Sequence, residues 1–207
     1  MLTVSALYSI TGETPLGDQS NTAVHQSYRL AQQTASQVMK KNQNKFIYRE
    51  PHASRAARKV LTRSTASLRG LMVAMLPAYE WPREIHYESA LEYRFLCLML
   101  IRPDVFDLRE QAPGIRYRGQ DNAPKTHFFD FLVTFTNGER VAFAIKPLDR
   151  VIKLGFVAEL EIIRNATPKH FADKVVLVTE QQLDRKAATA AARQLMRNRP
   201  SLTEAAA

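Results

Sequence analysis

The sequence has little of several things that specific functions need. It has one cysteine, Cys97, among 207 residues, so no internal disulfide can form. The neighbours Phe95, Leu98 and Met99 suit a buried structural thiol in a reducing compartment. No apolar run approaches the ~20 residues of a membrane-spanning helix. The opening residues, Met1-Leu2-Thr3-Val4-Ser5-Ala6-Leu7-Tyr8, lack a basic n-region, so no secretory signal is expected. The five histidines, His25, His52, His86, His127 and His170, are scattered without zinc-ligand spacing. There is no Gly-rich phosphate loop and no internal repeat. Acidic residues are the minority charge, 20 against 29 Lys and Arg, leaving a net +9. That excess favours a polyanionic partner.

What is present divides into a polar and basic N-terminal extension, residues 1–60, and a core domain, residues 61–200. Residues 1–45 are rich in Ser, Thr, Gln and Asn. A helix over 26–41 would have only a thin apolar stripe, so this part is expected to be mobile or to order on a partner. Between residues 40 and 69 the charge is one-sided. Lys40, Lys41, Lys45, Arg49, Arg55, Arg58, Lys59, Arg63 and Arg69 face only Glu50 within the segment. Basic groups among Ser and Thr suit a nucleic-acid backbone, where each neutralised phosphate releases counterions. The alternative is a solvated charge run.

Residues 68–76 read as a connector. Residues 87–101 read as a helix with Leu91, Phe95, Leu98 and Met99 on one face and Glu88 and Glu92 on its flank, stopped by Pro103. A strand is expected over 114–118, another over 127–135, a turn at Asn137-Gly138 and a return strand over 140–146. Helices are expected over 151–165 and 181–198, with a strand at 174–179 between them. The order gives an α/β fold with a mixed sheet flanked by helices, αβββαβα.

Two charges interrupt apolar strands. Asp130 lies in Phe128-Phe129-Asp130-Phe131-Leu132-Val133, and Lys146 ends Val141-Ala142-Phe143-Ala144-Ile145-Lys146. Such charges are costly unless paired or bound to an ion. They are either a cross-strand ion pair or part of a site. With the carboxylates Glu88 and Glu92 upstream, the set has the chemistry for phosphodiester hydrolysis. Carboxylates hold a hard divalent ion, and a lysine orients water or stabilises developing charge.

The words Tyr87-Glu88-Ser89-Ala90-Leu91-Glu92, Arg102-Pro103-Asp104-Val105, Gln111-Ala112-Pro113, Asp130-Phe131-Leu132-Val133 and Ile145-Lys146-Pro147 occur in an order that resembles the PD-(D/E)xK nucleases, and more narrowly the TnsA-type transposon endonucleases, over residues 60–195. The resemblance implies a restriction-endonuclease-like core and Mg²⁺, with Mn²⁺ as substitute. It implies metal ligation by Glu92, Asp130 and the Ile145 carbonyl, and a catalytic set of Glu92, Asp130 and Lys146. Glu88 is the alternative helix acid or a cap of the helix start, and Gln111 an accessory brace. The implied function is nicking of double-stranded DNA at the ends of a mobile element, beside a transposase and a transposition-regulator ATPase. That would place the protein in the bacterial cytoplasm at the nucleoid, with no membrane partner. A DNA-binding accessory protein of the same fold, or a phage or plasmid DNA-processing nuclease, would share these words.

Two departures bear on this. The family has Glu or Gln two residues before the lysine, where this chain has Ala144, and its C-terminal winged-helix domain is not expected here. The hairpin adds a geometric demand. A strict two-residue turn at Asn137-Gly138 pairs Asp130 with Ile145 and turns Lys146 to the opposite side. A joint site therefore predicts an odd-length loop or a bulge, with Gly138 left-handed.

Overall fold

The computed structural model describes residues 46–59 and 68–205, together with Leu30 and Gln33, which are exposed and helical. The expectations for the remainder of residues 1–45 lie outside the described residues. Two compact units are present. One contains residues 1–48 and 203–207, in which β1 (Phe46–Tyr48) pairs antiparallel with β10 (Thr203–Ala205). The other, residues 49–202, carries the elements described below. The division between the two units falls after Tyr48.

The second unit is built on a four-stranded mixed sheet in the order β4-β7-β8-β9. These strands are Val105–Glu110, Phe131–Phe135, Arg140–Ile145 and Lys174–Val178. The first three run antiparallel and β9 joins β8 in parallel. The parallel return is made through α2 (Leu148–Lys153) and α3 (Phe156–Ala166), as a parallel crossover requires. Two hairpins flank the sheet, β2–β3 (Gly70–Ala74 with Arg83–Tyr87) and β5–β6 (Ile115–Arg118 with Pro124–His127). Helix α1 (Ala90–Leu100) precedes the sheet, and α4 (Arg185–Arg197) packs against α1. No helix among the described residues is long and apolar enough to cross a membrane.

Strict alternation divides the sheet into two faces. Phe131, Val133, Val141, Phe143 and Ile145 pack with Phe95 and Leu96 of α1, where Phe95 stacks on Phe131 at 5.2 Å. Leu132, Ala142 and Ala144 pack with Val151, Phe156, Leu160 and Ile163. Cys97 is buried and unbridged, as its neighbours implied.

Several elements differ from expectation. Residues 68–76 contain β2, not a connector. His86 and Tyr87 belong to β3, and α1 starts only at Ala90, because Ser89 is extended and caps the helix. Strand β4 stands where none was expected. The strand expected at 114–118 is real, but it leaves the sheet as one arm of β5–β6. The run 127–135 is split, since residues 124–127 pair with β5 and only Phe131–Phe135 enters the sheet. The helix expected over 151–165 breaks at Gly155, whose φ of 57° is left-handed. The helix expected over 181–198 begins at Arg185, because Asp184 takes the cap and accepts from the Ala187 amide.

The β7–β8 loop meets the geometric demand. Phe131 pairs with Phe143 and Thr134 with Arg140, and the Phe135 amide donates to the Glu139 carbonyl. Residues 136–138 therefore form a three-residue loop, with Gly138 at φ 86°. Continued outward, this register sets Asp130 opposite Ala144 and turns Lys146 to the side that Ala144 shares.

A buried ion pair ties the flanking hairpin to the sheet. Arg83 of β3 donates from both terminal nitrogens to Glu110 Oε2, at 2.6 and 3.1 Å, with both side chains at or near zero exposure. Glu110 Oε1 accepts from Ser54 Oγ at 2.5 Å and the Arg55 amide at 3.1 Å. Removing one member of such a pair strands a charge in the interior, which costs about 3–5 kcal/mol. Glu110→Ala should lower the unfolding free energy by about that much in urea titration. Asp104→Ala, which breaks the exposed pair with Arg102, should leave the midpoint unchanged.

Candidate active site

Asp130 lies at the sheet end, one residue before β7. In a regular ladder the Ile145 amide would find its acceptor on the residue opposite, Phe129. Here it donates instead to Asp130 Oδ2 at 2.6 Å, so a side chain takes the place of the last rung. The Asp130 carbonyl accepts from the Gln111 amide at 2.8 Å, and Gln111 Nε2 reaches Asp130 Oδ1 at 3.4 Å. Gln111 is buried with φ at 41°, a left-handed conformation that costs a non-glycine residue about 1–3 kcal/mol. The same residue accepts from the Ala57 amide at its carbonyl and from Arg58 Nε at Oε1. Gln111, expected to brace the strand that follows it, is hydrogen-bonded instead to Asp130.

Glu92 is the third residue of α1 and is 6 % exposed. Its Oε2 accepts from the Glu88 amide at 2.8 Å and its Oε1 from Ser89 Oγ at 2.9 Å, while its own amide donates to Ser89 Oγ at 3.1 Å. This is a variant of the reciprocal cap encoded by Ser89-Ala90-Leu91-Glu92. Glu88 is not on the helix, so the shared flank expected for Glu88 and Glu92 does not form. The Glu88 side chain pairs instead with Arg58 and, at 3.8 Å, with Arg69.

The two acids feel each other. Burial, and then the negative charge of Glu92, push the Asp130 carboxyl up to about 7, against the Ile145 amide, Lys146 and Gln111. Burial also raises Glu92, against the Glu88 amide and Ser89. Lys146 acts on Asp130 from the other face of the sheet but makes no ion pair with it. Its Nζ lies over the Phe156 ring, 4.7 Å from the centroid, so the simple cross-strand ion pair is absent among the described residues. His127 packs edge-on against Phe129 and tilted against Phe156. Burial and the Lys146 charge lower it to about 4, and its Nε2 has no hydrogen-bond partner.

Among the described residues no group of three or more His, Cys, Asp or Glu is placed to hold a metal ion. The oxygens at this end of the sheet are the two carboxylates, near enough for their charges to interact, and a carbonyl. The N–H and C=O of one strand residue point the same way, so the Ile145 carbonyl faces the side on which its amide meets Asp130. Ala144 is buried and adds no ligand. A small hard ion such as Mg²⁺ fits this set, because it binds through one or two carboxylates and keeps several waters.

Of the nine basic residues expected at a nucleic-acid backbone, Lys40, Lys41, Lys45 and Arg63 lie outside the described residues. Lys59 is exposed, and Arg49 stacks on Trp81. Arg55 pairs with Asp107, and Arg58 and Arg69 with Glu88. The segment's one-sided charge is thus partly neutralised by acids 19 to 52 residues away in sequence.

No protein-family model matches this chain, and no curated protein matches it.

The raised Asp130 carboxyl gives a signed pH dependence. The folded chain keeps a proton that the unfolded chain releases near pH 4. The corresponding stability is complete below that pH and is lost as pH rises through about 7. In EDTA, unfolding free energy should fall between pH 4 and 8 by at most about 4 kcal/mol. Asp130→Asn should flatten that profile in denaturant titrations at each pH. Millimolar Mg²⁺ should raise the wild-type melting temperature more at pH 8 than at pH 5.5.

Proposed function

We propose that this protein is a metal-dependent endonuclease acting on double-stranded DNA. Its β4-β7-β8 meander, with a parallel fourth strand reached through helices, supports a restriction-endonuclease-like core. The observation that carries the proposal is Asp130, fixed at the sheet end by the Ile145 amide and Gln111, with the charge of Glu92 acting on it from the α1 face and that of Lys146 from the opposite face. Two acids both held above the ordinary carboxylate range make a costly structural arrangement that a bound cation would relieve.

Glu92, Asp130 and the Ile145 carbonyl would hold Mg²⁺. When bound, the ion would neutralise the phosphate and lower the pKa of an attacking water. Asp130 is held in place by the Ile145 amide and Gln111, so its oxygens need no rearrangement. Lys146 Nζ, half-buried against Phe156, would turn to the water or to the developing oxyanion. The word order at these residues supports action at mobile-element ends, beside a transposase and its regulatory ATPase. Ala144 favours a second reading, a DNA-binding accessory protein of the same fold, since the position beside Asp130 offers no oxygen.

Nicking of supercoiled plasmid carrying candidate element ends, with Mg²⁺ or Mn²⁺, tests this. Asp130→Ala and Lys146→Ala should each lower the rate by about two orders of magnitude or more, as expected for groups stabilising the transition state. Ala144→Glu should lower the Mg²⁺ concentration for half-maximal rate roughly tenfold. Equal nicking by wild type and both alanine variants would remove the site. Salt-sensitive binding without nicking would favour the accessory protein.

A further inference from the structure

The β5–β6 hairpin has two unlike faces. Its register pairs Ile115 with His127, Arg116 with Thr126, Tyr117 with Lys125 and Arg118 with Pro124. Alternation therefore puts Ile115, Tyr117, Lys125 and His127 on one face. That face is fastened to α3. Ile115 is buried with Phe156 and Leu160, and Tyr117 Oη donates to Glu159 at 2.6 Å. Lys125 lies 3.6 Å from Glu159, and His127 packs on Phe156.

The other face carries Arg116, Arg118, Thr126 and Pro124, all exposed. Arg116 has no partner among the described residues, and Arg118 donates only to the neutral Asn122 carbonyl at 2.9 Å. The nearby acids are occupied elsewhere. Glu159 serves the inner face, Asp121 pairs with Lys125, and Glu161 pairs with Arg164. The face thus offers two guanidinium forks about 7 Å apart along one strand, with a hydroxyl beside them. It contrasts with residues 55–69, where Arg55, Arg58 and Arg69 already meet acids. The hairpin also runs straight into the candidate site, since only Phe128 and Phe129 separate His127 from Asp130.

We infer that the outer face of β5–β6 is a DNA-backbone contact surface, with Arg116 and Arg118 gripping phosphates next to the bond presented to Asp130 and Lys146. The inference rests on the endonuclease reading for its choice of DNA. Arg forks match phosphate oxygens in geometry and charge. The anchored inner face supplies a rigid base, so the hairpin would position the duplex without ordering a loop.

Binding to a duplex of about three helical turns, measured by fluorescence anisotropy in EDTA across a salt series, tests it with the full chain. The Arg116→Ala/Arg118→Ala double variant should keep the wild-type melting temperature. It should bind about tenfold or more weakly, and the salt slope should fall by about 2, one for each phosphate that the two guanidiniums neutralise. Arg185→Ala/Lys186→Ala on α4 should change neither. Unchanged affinity and slope in the hairpin variant would overturn the inference. The endonuclease reading would stand in that case if wild type nicks and Asp130→Ala does not. Nicking by Asp130→Ala at the wild-type rate would sink that reading while leaving the hairpin result intact. Failure of the wild type to bind DNA would overturn both.

Discussion

The hydrogen bond from the Ile145 amide to the Asp130 carboxylate is the interaction on which this end of the molecule depends. It replaces the last rung of the β7–β8 ladder, so it ends the sheet and fixes an acid there in one step. A charge within either face would be buried among Phe131 and Phe143 on one side or Phe156 and Leu160 on the other. Set in the line of the ladder, it lies between the faces. Glu92, from the helix on one face, and Lys146, from the strand side facing the other, can then both act on it. The left-handed Gln111 belongs to the same arrangement. Its strain is held by four hydrogen bonds, two of them to Asp130.

The sequence carried some of this plainly. Side chains on a strand alternate with period two, so the demand that Asp130 and Lys146 share a side became a statement about loop length. Gly138 then met it with a three-residue loop. The buried Cys97 was equally readable, because its neighbours repeat at helical spacing. The capping pair of Ser89 and Glu92 was also written in the chain, and it places the start of α1 better than the apolar stripe does. The stripe marks which face is buried, not where the first turn closes.

Other features were hidden for physical reasons. Strand β4, Val105–Glu110, mixes charged residues into its alternation, because Glu110 is buried against Arg83 rather than solvated. Local hydrophobicity cannot signal a buried charge whose partner lies 27 residues away. The same holds for the basic segment. A run of Arg reads as free positive charge until Asp107 and Glu88 are brought to it by tertiary structure. The division of residues 124–135 between two sheets was invisible as well, since both pieces have strand-like composition and only pairing separates them.

Glu92 and Asp130 each serve the fold, and this does not compete with holding an ion. A carboxylate offers about four lone-pair sites. Glu92 uses two, for the Glu88 amide and Ser89 Oγ, and Asp130 uses two, for the Ile145 amide and Gln111 Nε2. Each keeps about two in reserve. The donors that bind them are too few to offset burial, which is why both groups rest above the ordinary carboxylate range. A divalent cation bound as proposed would supply the missing positive charge without breaking the helix cap or the ladder end. Under the endonuclease proposal, the raised proton affinity of these acids would be the metal-free expression of a cation site, with water in place of the ligand that Ala144 does not provide.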